Sequence, residues 1–166
     1  MHEPLYRFLA DDHQRLDLFL KEAIVTPGKI DKTAYDQFRA GLLKHIGMEE
    51  KILLPAAQRL RGGDPLPIAS KLKLDHGALV ALLVPPPTFS IISALQTILT
   101  AHNEIEEGPG GVYEICEQLA DTENDSILNQ LKNAPAVPVM PYSDDPNVLN
   151  ATRRALTRAG YDLLIE

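Results

Sequence analysis

The sequence predicts an all-α protein, an up-down four-helix bundle with a C-terminal helical extension. Three features of the chain point to it. Apolar residues recur at spacings of three, four and seven over long stretches, the period of one buried helix face. Aromatic residues make up only 5% of the chain and Trp is absent, so residues that favour strands are scarce. Proline and glycine gather in a few short runs that cut the periodic stretches into lengths suited to helices.

Leu5, Phe8, Leu9, Leu16, Phe19 and Leu20 set the period of a first helix over residues 4–25, stopped by Thr26-Pro27-Gly28. Asp31 is a good N-cap for a second, which passes Tyr35, Phe38, Leu42, Ile46 and Leu53, kinks at Pro55 and stops at Gly62-Gly63-Asp64-Pro65. A third is expected over 66–83, ending before Pro85-Pro86-Pro87. The fourth begins at Thr88 or Phe89 and runs to Glu107, where Gly108-Pro109-Gly110-Gly111 interrupts it. The following VYEICEQLA reads either as a bent continuation or as a separate short helix. Beyond it come a short helix over 126–132, the proline-rich connector APAVPVMPYSDDP, and a last helix over 146–159 with Gly160 as its C-cap. Residues 1–120 thus form the bundle, and 121–166 an extension that straps its apolar surface or, alternatively, contributes to a homodimer.

The chain of 166 residues is long enough to bury an apolar core without staples. Its net charge of −7 disfavours nucleic acid and anionic lipid surfaces, which demand a positive face. The single Cys116 allows no internal disulfide, the first residues are acidic where a signal peptide would be basic, and no apolar run is long enough for a membrane span. A cytoplasmic location is the expectation.

Chemistry enters through an internal repeat. Asp12-His13-x-x-Leu16 returns as Asp75-His76-x-x-Leu79, and His45-x-x-x-Glu49-Glu50 returns as His102-x-x-x-Glu106-Glu107. The chain therefore reads as two similar helix hairpins, each offering a histidine and then a histidine with a glutamate. Residues four apart on a helix lie about 40° apart around the axis and about 6 Å along it, so such a His and Glu can reach one site. Together His13, His45, Glu49, His76, His102 and Glu106 supply four imidazoles and two carboxylates, a set suited to iron, zinc or manganese, and the two carboxylates can bridge two metals. Any one of these histidines alone would be read as an ordinary surface or core residue, and the inference rests on the repeated set. His2 is left out. Glu50 and Glu107 point about 100° away from the ligand direction and read as surface charges or as hydrogen-bond acceptors behind the ligands. Asp12 and Asp75 read mainly as surface residues, with capping, a salt bridge or a hydrogen bond accepted from a ligand imidazole as the alternatives, and Asp17 as a boundary residue rather than an extra ligand.

These segments, with Leu54-Pro55 after the first His-Glu unit, resemble the hemerythrin-like proteins of the HHE cation-binding class over about residues 5–120. The resemblance implies two iron ions bridged by Glu49 and Glu106, with a small ligand such as dioxygen or nitric oxide binding at iron. An oxo or hydroxo bridge would give each iron five ligands and leave one position open on both. Oxygen carriers of that family have a fifth histidine four residues after the one on the third helix, whereas Val80 stands at that position here. Reversible oxygen carriage is thereby disfavoured. The expected function is binding, sensing or scavenging of dioxygen, nitric oxide or peroxide, with Leu16, Met48, Leu79 and Val80 as the apolar wall beside the metals. The alternative is a di-iron redox enzyme of the oxidase, peroxidase or nitric-oxide and iron-sulfur repair type. It would need an external electron donor, because no haem or nucleotide motif is present. A zinc site that merely holds the bundle together is a third reading. It is a poor one, since structural zinc sites are closed and often thiolate-rich.

Overall fold

Pro4 opens the first helix, α1 (Pro4–Ala23), at a position where its missing N–H costs nothing. The structure, a computed structural model, describes residues 3–166, so His2 lies outside the described residues. Asp31 caps α2 (Lys32–Met48) as expected, its side chain accepting from the Ala34 N–H at 3.1 Å. The helix then widens into a π-helical segment, Glu49–Leu53, before resuming as α3 (Leu54–Leu60). Pro55 offers no N–H to the Lys51 carbonyl and its ring crowds that oxygen, so the turn before it cannot keep α geometry. The disturbance expected at Pro55 thus begins six residues earlier, at Glu49.

After the glycine-rich stop, α4 (Ala69–Leu82) starts three residues later than the sequence pattern suggests. Leu66 precedes a proline, which disfavours helical backbone there, and its side chain is buried in the core instead. The hydroxyl of Thr88 caps α5 (Phe89–Glu107) by accepting from the Ile91 N–H at 3.2 Å. VYEICEQLA is a separate helix, α6 (Val112–Ala120). A 3-10 turn, Asp121–Glu123, leads to α7 (Asn124–Lys132), and α8 (Pro146–Ala159) ends at Gly160 with φ +89°. Helix accounts for 71% of the described residues, which contain no strand.

Two apolar clusters divide the core. Leu16, Leu20, Phe38, Leu42, Leu79, Leu82, Ile91 and Leu95 belong to the first. Leu5, Leu9, Met48, Leu53, Leu72, Val112, Tyr113 and Leu131 belong to the second. Along the chain, α1 and α4 run from the second cluster to the first, while α2 and α5 run from the first to the second. Each of these four helices carries one histidine of the repeat between its two apolar stretches, so the histidines share a polar layer between the clusters. Gly41 lets α1 and α2 approach closely, since a Cβ there would stand 2.6 Å from Leu16 Cδ2.

The C-terminal segment docks on the same body. Thr152 donates to the Ala81 carbonyl at 3.1 Å, and Leu156, Ala159 and Ile165 enter the first cluster beside α4. Buried Arg39 donates to the carbonyls of Leu83 and Met140, and its guanidinium lies 3.9 Å from the centre of the Tyr142 ring. No helix among the described residues is long and apolar enough to cross a membrane.

Candidate metal centre

His13, His45, Glu49, His76, His102 and Glu106 are all buried and converge in the polar layer. Their donor atoms form two groups, His13-His45-Glu49-Glu106 and Glu49-His76-His102-Glu106, and within each group the atoms lie within 4.8 Å of one another. Both glutamates belong to both groups. Glu49 turns Oε1 toward His76 Nε2 at 3.1 Å and Oε2 toward His45 Nε2 at 3.7 Å. Glu106 Oε1 lies 3.2 Å from His13 Nε2 and 3.3 Å from His102 Nε2. Each carboxylate therefore spans an imidazole from either hairpin.

Every imidazole points Nε2 inward and donates from Nδ1 to a carboxylate behind it. His45 bonds Asp12 Oδ2 at 2.8 Å and His102 bonds Asp75 Oδ2 at 3.0 Å, both within one hairpin. His13 bonds Glu107 Oε2 at 2.6 Å and His76 bonds Glu50 Oε1 at 3.0 Å, both across the hairpins. A hydrogen bond of this kind fixes the ring's tautomer and leaves the inner nitrogen free to ligate. Asp12 and Asp75 are thus not surface residues in function. Asp75 is wholly buried and also receives Lys71 Nζ at 2.6 Å. Helical spacing shows why the sequence pattern understated them: each aspartate precedes its own histidine by one residue and serves the histidine of the next helix. Asp17 stays outside both groups, paired with Lys21 at 2.6 Å.

The electrostatics are those of a site that requires positive charge. Burial disfavours an imidazolium at His45, but Glu49 and Asp12 outweigh it and push the pKa up to about 10. At His102 burial is likewise outweighed by Asp75 and Glu106, again to about 10. His13 and His76 are raised for the same reason. Burial pushes the Glu49 carboxyl up, yet the positive charge of His45 and the hydrogen bonds from His45 and His76 more than reverse this and hold it well below the usual carboxylate range. Glu106 Oε2 is buried and has no hydrogen-bond partner among the described residues, a costly state for a carboxylate oxygen. A cation between the groups would satisfy that oxygen together with the four inward nitrogens, so the residues present fit a metal.

Tyr113 is a participant that the sequence reading did not single out. Its hydroxyl lies 2.8 Å from Glu49 Oε2, 3.0 Å from His13 Nε2, and 3.2 Å from both His45 Nε2 and Glu106 Oε1. Burial and the two carboxylates push its pKa well above the ordinary value. The available signal was weak: Val112, Tyr113 and Cys116 share the apolar face of α6, and a buried tyrosine hydroxyl needs a partner.

On the other side of the polar layer a cavity of about 360 Å³ reaches the four histidines and Glu49. Leu16, Leu20, Leu42, Ile46, Leu79 and Leu99 form its apolar wall, with Gln96, Thr100 and the Asp17–Lys21 pair also on its lining. Leu16 and Leu79 are where the sequence reading expects them. Met48 instead packs in the second cluster, and Val80 is 37% exposed. Of the two positions one turn from His76, the one buried in the core is Leu72, not Val80.

The fold and site define an all-helical protein with a buried His and Glu cluster able to hold metal. Compared with family models, curated proteins and solved structures, the chain matches none.

Proposed function

We propose that this chain is a hemerythrin-like protein that holds two iron ions and uses them to bind, sense or scavenge dioxygen, nitric oxide or peroxide. On this reading residues 1–120 are an up-down four-helix bundle made from α1, α2 with α3, α4 and α5, and residues 121–166 are its extension. One observation carries the proposal: two buried carboxylates, each within reach of inward-facing imidazoles from both hairpins. His13 and His45 would hold one ion and His76 and His102 the other, with Glu49 and Glu106 shared between them. Four imidazoles and two carboxylates suit iron, and the absence of thiolate among them disfavours a structural zinc site. When bound, the ions would supply the change of oxidation state and the open coordination position at which a small ligand binds.

The protein's own residues do the rest. Asp12, Glu50, Asp75 and Glu107 orient the imidazoles, and the leucine wall of the cavity favours small neutral ligands over ions. The cavity's 360 Å³ also exceeds what a diatomic gas needs, which supports a second reading, a redox enzyme supplied with electrons by a partner. Metal analysis of purified protein with its visible spectrum in air tests the proposal. Two irons per chain are expected. Stoichiometric zinc from cells grown in iron-rich medium would overturn both readings, and turnover of peroxide or nitric oxide with an artificial electron donor would favour the enzyme.

A further inference from the structure

We propose that Tyr113 is a ligand to one metal only, the one held by His13 and His45, so that the two ions are chemically unequal. This rests on the two-iron reading above. The phenol oxygen contacts all four members of one group, at 2.8 to 3.2 Å, and has no contact with His76 or His102 among the bonds that define the other. Each Nδ1–H is directed to a carboxylate, so once a cation displaces their inner protons, His13 Nε2 and His45 Nε2 present lone pairs beside the phenol oxygen, as do Glu49 Oε2 and Glu106 Oε1. Four atoms able to ligate a metal thus surround the phenol oxygen. A cation placed among them would engage all four and the phenol oxygen as well.

The chain is built to bring this ring in. A Cβ on Gly111 would stand 2.7 Å from the carbonyl oxygens of Gly108 and Ile105, and Gly110 has φ +71°, so α6 can start hard against the end of α5 only with glycines there. Tyr113 then lies seven residues after Glu106, its ring stacked 5.5 Å from His13 and edge-on to Tyr6 at 5.9 Å. It enters from the second apolar cluster, opposite the cavity, which is walled by the first. One metal is therefore closed from behind by five protein donors. The other keeps four and is the one at which an external ligand binds. Ligation breaks the phenol O–H bond, forms an oxygen–iron bond and releases the proton to solvent, with no change in electron count.

Visible absorption and resonance Raman spectra of the oxidised, iron-loaded protein test this. The wild type is expected to show a phenolate-to-iron charge-transfer band with enhanced tyrosine ring modes. Y113F should keep two irons per chain and lose the band and the modes, while Y35F, altered at a buried tyrosine of the first cluster, should keep them. Should Y113F fail to fold, ring-deuterated tyrosine in the wild type must shift the enhanced modes. Two irons without phenolate modes, or a band that survives in Y113F, would overturn the assignment and leave the two-iron reading standing. A protein that takes up no iron would overturn both.

Discussion

Glu49 and Glu106 are the residues on which the two halves of the site depend, because each faces imidazoles from both hairpins. On the two-iron proposal, replacing either with alanine should remove the second metal, so that metal analysis finds at most one ion per chain. Full occupancy in either variant would show that the carboxylates do not bridge. On the same proposal, the residues behind the imidazoles would set affinity instead. Asp75 is wholly buried between His102 and Lys71, whereas the Glu50 side chain is 37% exposed, so solvent can replace Glu50 but not Asp75. Asp75→Asn should therefore weaken metal binding by roughly 10- to 100-fold, and Glu50→Gln by less. Competition against a chelator of known affinity measures both. The six inward residues were legible in the sequence because a repeat marks them. Tyr113 was not, because its partners lie between 7 and 100 residues away and nothing local distinguishes it from a core aromatic.

Among the elements, those with chemistry at both ends were legible and those shaped by a neighbour were not. For α8, Asp145-Pro146 and Gly160 fix the limits locally, and the structure has those limits. The π-helical segment at Glu49–Leu53 answers to Pro55 and to packing between clusters, and has no sequence pattern of its own. The turn from α5 to α6 is the element most sensitive to a single carbon. A Cβ on Gly111 would meet three backbone oxygens, at 2.7 to 2.8 Å, which cannot swing aside. One on Gly41 meets chiefly the end of the Leu16 side chain, which can. Gly111→Ala should therefore cost about 1–3 kcal/mol and Gly41→Ala distinctly less, read from denaturant midpoints of the metal-free protein. The reverse order would mean that α6 is free to shift.

In the molecule as a whole, a layer of buried charge separates two apolar clusters, and pH governs what that layer contributes. His45 and His102 have pKa values near 10 when folded, against an ordinary value of about 6.5. A raised value means that the folded state binds protons more tightly than the unfolded chain. Without metal, this stabilisation is fully present below about pH 6.5 and drains away as pH rises toward 10. Glu49 has the opposite sign: its depressed value gives stability that is present above about pH 4.5 and is lost as pH falls through the folded value. Metal-free protein should thus be most stable between about pH 4.5 and 6.5 and lose stability steadily on the alkaline side. Cys116, pushed up to about 12 by burial, continues that loss at still higher pH. Metal ions held by the proposed site would replace the imidazolium protons, so loading should release protons and grow stronger with rising pH. Thermal melting across this range, with chelator and then with iron, should show a falling alkaline limb that metal flattens. A metal-free Tm that rises between pH 6.5 and 10 would mean that the histidines are neutral in the folded protein and that the carboxylates around them do not set their charge.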